Sequence, residues 1–166
     1  MVNEEPPRFV KALNRVPIAL YRARLGWLLG GHFLLLTTTG RKTGRVRRSV
    51  LEVARRAEGS GVLPTIWVIA STGRRTHWYA NAVAGGPITV SWKTHAYTPR
   101  VHALAPTERL ELLIDYQRRH PRAAALLGSS VLGSEFTADP DHLQRLATEL
   151  RALRLEPPAT DVAASR

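Results

Sequence analysis

The stretch Phe33-Leu34-Leu35-Leu36-Thr37-Thr38-Thr39-Gly40-Arg41-Lys42-Thr43-Gly44-Arg45-Val46-Arg47-Arg48 decides the reading of this chain. Its first seven residues form a β-prone run. Two glycines then bound a basic loop, and from Arg47 to Ala54 apolar residues reappear, which predicts a second strand. The loop packs cationic side chains beside a hydroxyl, and its glycines let the backbone come close to an anion. Such a loop suits a phosphate or several carboxylates. It is not a Walker loop, because the glycine spacing before Lys42 is absent and a strand follows instead of a helix.

Working outward, Glu58-Gly59-Ser60-Gly61 is a turn, and Leu63 to Ala70 is a third strand stopped by Ser71-Thr72-Gly73. Thr76 to Ala84 predicts a short helix closed by Gly85-Gly86-Pro87. Ile88, Val90 and Trp92 alternate with polar residues, and a strand from Tyr97 to Leu104 follows closely enough to form a hairpin with them. Pro106-Thr107 opens a helix that ends before Pro121, and Asp139-Pro140 caps another through Leu143, Leu146, Leu150 and Leu153. Upstream, residues 8–29 place Phe9, Leu13, Val16 and Leu20 at helical spacing among arginines, an amphipathic cationic helix. Strands and helices that do not alternate βαβ predict an α+β protein, a split antiparallel β-barrel with peripheral helices. The expected organisation is one domain over 1–156 and a flexible tail over 157–166.

Composition narrows the function. The 166 residues carry 24 Lys plus Arg against 13 Asp plus Glu, a net charge of +11, so an anionic partner is implied. Lysine stands only at 11, 42 and 93, and arginine's planar fork suits phosphate and carboxylate oxygens. With no cysteine there are no disulfides and no thiolates, so redox chemistry needs a bound cofactor. The six histidines show no ligand spacing, which leaves no metal centre to expect, and no serine sits on a nucleophile elbow. The basic residues are scattered and no nucleic-acid-binding signature appears, so nucleic acid is not an expected partner. With no signal peptide in view, the expected location is cytoplasmic, with peripheral membrane contact through the N-terminal helix as a secondary option.

A second feature supports the loop. Ser71-Thr72-Gly73 and His77-Trp78-Tyr79-Ala80-Asn81 set small hydrogen-bonding groups and an aromatic pair after a buried strand, a mixture suited to a flat heterocycle. Taken with Leu34–Arg47, the stretches Val68-Ile69-Ala70-Ser71 and Trp78-Tyr79-Ala80-Asn81 make residues 33–103 resemble the deazaflavin-dependent nitroreductases and quinone reductases of the split-barrel flavin and deazaflavin oxidoreductase superfamily. That family's pattern is a strand, Gly-Arg-Lys-Ser-Gly, an arginine three residues on, a Val-Ala-Ser strand end and a Trp-Tyr-x-Asn helix. The chain departs from it at Val46, where proline is usual, at Arg74-Arg75-Thr76-His77, and at Gly85-Gly86 before Pro87.

The resemblance implies an oxidoreductase that uses coenzyme F420, with flavin mononucleotide as the alternative cofactor. It implies Arg41, Lys42, Thr43 and Arg47 as contacts to the phosphate and oligoglutamate tail, and Ala70, Ser71, Trp78 and Asn81 beside the ring or ribityl chain. Hydride passes from the reduced deazaflavin to a small hydrophobic, electron-poor acceptor: a quinone, nitro compound or enone. By motif position the proton donors are Tyr79, Tyr97 and His77. Split-barrel relatives are often homodimers, and some branches are associated with fatty-acid binding, which keeps a non-catalytic lipid-binding or cofactor-binding barrel as the alternative function.

Overall fold

In a computed structural model the chain is described over residues 31–58, 61–70, 76–132 and 139–158. The N-terminal helix expected over 8–29 and the ring-side candidate Ser71 lie outside these residues.

Phe33–Thr39 (β1) and Val46–Glu52 (β2) pair antiparallel around the basic loop, with Leu36 opposite Ser49 and Thr39 opposite Val46. Arg55–Ala57 (β3) follows, then Thr65–Ala70 (β4), His77–Ala82 (α1), Ile88–Trp92 (β5), His95–Tyr97 (β6) and Arg100–Ala103 (β7). Three helices, Pro106–Arg119 (α2), Pro121–Leu132 (α3) and Pro140–Glu149 (α4), precede the last strand, Arg151–Glu156 (β8). The strands form two four-stranded sheets, ordered β2-β1-β5-β6 and β3-β4-β8-β7, and every pairing is antiparallel. This is the expected α+β class, with the barrel split into two sheets that do not close on each other.

The period of two along β4 explains the layering. Ile66 and Val68 face the interior shared with Leu34, Leu36, Val90, Trp92, Leu153 and Leu155, whereas Trp67 and Ile69 face the helices. On that second side Leu112, Leu113 and Tyr116 of α2, Leu127 of α3 and Leu146 of α4 cover the sheet. Each fully buried leucine is worth about 1.5–3 kcal/mol, so both layers contribute substantially.

Four segments differ from the sequence reading. The strand expected from Tyr97 to Leu104 is broken at Thr98-Pro99, and the two pieces belong to different sheets. Pro99 has no N–H for a ladder, so the chain turns the barrel corner there. Likewise the strand expected to run to Ala54 stops at Glu52; the Ala54 N–H donates to the Trp67 carbonyl, and β3 continues in the other sheet.

The helix expected through Leu153 ends at Glu149, and residues 151–156 are β8, an inner strand flanked by β4 and β7. Leucines at 143, 146, 150 and 153 fit a helix, but Leu153 and Leu155 also fit a strand; the open backbones of β4 and β7 settle the choice by supplying ladder partners on both sides. Helix α3, residues 121–132, has no counterpart in the sequence reading.

Candidate functional site

The basic loop is held by its own backbone. The Gly40 N–H donates to the Arg45 carbonyl at 2.8 Å, and the N–H groups of Thr43 and Gly44 both donate back to the Gly40 carbonyl, at 3.1 and 2.8 Å. Gly44 has φ +65°, the left-handed conformation that glycine adopts without steric cost. A Cβ on Gly40 would lie 2.9 Å from Thr43 Oγ1 and 3.2 Å from the Arg45 carbonyl oxygen, so a side chain there would push Thr43 and the Arg45 backbone aside. Such a turn leaves the side chains of Arg41, Lys42 and Arg47 exposed.

Helix α1 closes the other wall. Asn81 is buried, and its Oδ1 accepts from the Arg41 backbone N–H at 3.3 Å and from an Arg41 guanidinium N–H at 3.2 Å. The helix therefore ties down the loop from 40 residues away. Between them lies a cleft of about 430 Å³, bordered by Arg41, Lys42, Thr43, Arg47, Arg48 and Ser49 on one side and by His77, Trp78 and Asn81 on the other. Four permanent cations, two hydroxyls, an amide and an indole, with no carboxylate among them, make a site for an anionic ligand that carries a flat aromatic part.

A second cleft of about 340 Å³ adjoins the first. It is lined by Val50, Leu51, Glu52, Ala54, Ile69, Tyr116, Ala123, Leu126 and Leu127, and Trp78 borders both clefts. Strand β2 passes from one to the other, with Arg47 to Ser49 on the basic cleft and Val50 to Glu52 on the apolar one. In the apolar cleft the Tyr116 hydroxyl donates to both carboxylate oxygens of Glu52, at 3.2 and 3.1 Å. Burial and the neighbouring Glu52 charge push the Tyr116 hydroxyl well above the usual phenolic range.

Of the residues singled out from sequence, Arg41, Lys42, Thr43, Arg47, His77, Trp78 and Asn81 come together in the basic cleft. Ala70 is buried at the end of β4 and lines neither cleft. Tyr79 is half-buried against the inter-sheet core, edge-on to Trp78 with ring centroids 6.2 Å apart. Tyr97 is buried within that core, its hydroxyl meets no partner among the described residues, and burial pushes its pKa up to about 12. Neither tyrosine borders a cleft. Sequence reading missed Arg48, Ser49, Glu52 and Tyr116; Arg48 stood in the same basic run, whereas nothing local marks the other three.

Residues 14–123 match the family model described as F420H(2)-dependent quinone reductase, well over half of the chain. The chain belongs to this family. It is an F420-dependent oxidoreductase, and coenzyme F420 is its cofactor. The donor set of the basic cleft fits that group, since phosphate and glutamyl carboxylates need cations and N–H donors while the deazaflavin needs a flat apolar wall.

Among solved structures, the reductase is similar to one described as an F420-H2 dependent reductase, FDR-A, at 20% identity over 75% of this chain and 94% of that chain, with a TM-score of 0.47. A structure described as a domain-swapped dimer matches at 18% identity over 84% of this chain and 99% of that one, TM-score 0.48. A pyridoxamine 5'-phosphate oxidase-related, FMN-binding protein from Nostoc punctiforme PCC 73102 matches at 15% identity over 94% of this chain and 83% of that one, TM-score 0.47. Among the described residues no helix is long and apolar enough to cross a membrane.

Proposed function

We propose that the reductase holds F420 in the basic cleft and reduces a small apolar, electron-poor acceptor, a quinone before a nitro compound or enone, seated in the adjoining apolar cleft. One observation carries this reading: Trp78 is the common wall of a cationic cleft and an apolar one. Arg41, Lys42, Thr43 and Arg47 would hold the phosphate and glutamyl tail, joined by Arg48, while Trp78 and Asn81 would border the ring or ribityl chain. Ala70 and Ser71 enter as ring neighbours by resemblance to the family alone. When bound and reduced, the coenzyme supplies a hydride.

The chain's own task is then to bind, orient and shield. Trp78 and the leucines of the second cleft exclude water from the acceptor, and orientation beside the donor removes much of the entropic part of the activation barrier. The reduced acceptor needs a proton. Of the three candidate donors, His77 is the one on the rim of the basic cleft, exposed to water, and it is the donor we favour.

The test is titration of the protein with F420 and, separately, flavin mononucleotide, followed by tryptophan quenching at two salt concentrations. The expected result is tight F420 binding that weakens about tenfold in Lys42→Ala, as loss of one charge-assisted contact implies, with a shallower salt dependence in the variant. Quinone turnover by the loaded protein should follow. Equal affinity for the tail-less flavin, or F420 binding indifferent to Lys42→Ala, would overturn the assignment of the basic cleft.

A further inference from the structure

We propose that Glu52, held in place by Tyr116, makes the apolar cleft selective for acceptors that carry a hydrogen-bond donor, such as an amino-substituted quinone; this rests on the reading that this cleft seats the acceptor. Among the described residues Glu52 and Tyr116 are the only ionisable ones lining the cleft, amid Leu51, Ile69, Trp78 and Leu127. Tyr116 is 4% exposed, and its single hydroxyl proton is shared between the two Glu52 oxygens. It therefore has no proton left to offer a ligand.

The carboxylate has the opposite balance. An ionised carboxylate offers about four lone-pair sites, of which the phenol uses only part. Among the described residues no cation forms an ion pair with Glu52. Arg119, whose charge acts on the Tyr116 hydroxyl, is committed elsewhere, to Asp115 at 2.7 and 3.2 Å and to the Ala54 carbonyl at 2.8 Å. The polar capacity that these two residues leave to the cleft is thus for accepting hydrogen bonds. A quinone that presents only carbonyl oxygens sets lone pair against lone pair there, whereas an N–H on the ring meets an acceptor whose orientation is already fixed.

Tyr116 is in this account a positioning residue. It spans from α2 to the end of β2 and keeps the carboxylate against the cleft, where a free glutamate at an exposed position would turn to water.

The test compares two naphthoquinones of equal size, one with an amino and one with a methyl substituent, by calorimetric binding and by KM in turnover. Unaltered protein should bind the amino compound about tenfold more tightly, the value of one hydrogen bond to a charged group. The preference should vanish in Glu52→Leu, fall in Tyr116→Phe and survive in part in Glu52→Gln, which keeps an acceptor oxygen.

Equal affinity of the unaltered protein for the two quinones would overturn the proposal without any variant having to fold, as would a preference retained in Glu52→Leu. If neither quinone binds while F420 titrates normally, the selectivity proposal falls and the coenzyme assignment stands. Failure of F420 to bind would bring down the underlying reading as well.

Discussion

The Asn81 amide oxygen accepts two hydrogen bonds from Arg41, one from its backbone and one from its guanidinium, and so joins the basic loop to helix α1. The amide is buried, and both of its partners belong to a loop whose other side chains are exposed. Removing it frees the loop and leaves the guanidinium without this anchor.

Asn81→Ala is expected to weaken F420 binding by about three- to tenfold, the worth of a partly buried hydrogen bond of about 0.5–1.5 kcal/mol. Asn81→Asp keeps the acceptor but adds a negative charge beside the proposed anion site, so it should weaken binding more than Asn81→Ala at low salt and converge with it at high salt. Titration of both variants across a salt series checks the order. An alanine variant that binds as tightly as the original would show that the tie to α1 does not organise the loop.

Tyr97 offers a test through pH. Its hydroxyl is protonated in the folded protein up to about 12, against an ordinary value near 10 in the unfolded chain. Between these values the folded state binds the proton and the unfolded state does not, so stability falls as pH rises through that window. The loss is about 2–3 kcal/mol for a shift of this size. Tyr97→Phe should flatten this alkaline limb. Because the hydroxyl has no partner among the described residues, the substitution should cost little near neutrality. Urea unfolding at a series of alkaline pH values reads both effects.

Arg109 is 6% exposed and donates from its guanidinium to the backbone carbonyls of Leu150 and Thr148, where α4 ends and the chain enters β8. Burial, and after it the charge of Arg151, hold its pKa below the ordinary arginine value. Arg109→Met keeps most of the stem and removes its donors, taking them from the Thr148 carbonyl and leaving the Leu150 carbonyl with the longer contact to the Arg151 guanidinium at 3.4 Å, at the turn that starts an inner strand. The expected loss is about 1–3 kcal/mol, or several degrees in Tm for a chain of this size, with F420 affinity unchanged because Arg109 borders neither cleft. Thermal unfolding and a parallel titration separate the two readouts.

The local parts of this protein were set by its sequence. The β-prone run before Gly40, the glycine-bounded cationic loop and the Trp-Tyr-Ala-Asn helix each depend on neighbours within a few residues, because turns, strand tendency and charge density are short-range properties. The basic loop and the aromatic helix are therefore legible as local features, whereas Arg41, Lys42, Thr43, Arg47, Trp78 and Asn81 as cofactor contacts are what the resemblance to the family implies. Only the tertiary structure decided where the barrel corners fall and that residues 151–156 are a strand, since Leu153 suits either geometry until β4 and β7 present unpaired backbone to it. It alone brought Tyr116 onto Glu52 from 64 positions away, and it alone made Trp78 a wall between a charged cleft and an apolar one. A contact of that separation leaves no periodic trace in the sequence, because what selects it is the packing of a helix layer onto a sheet, and that packing exists only once both are formed.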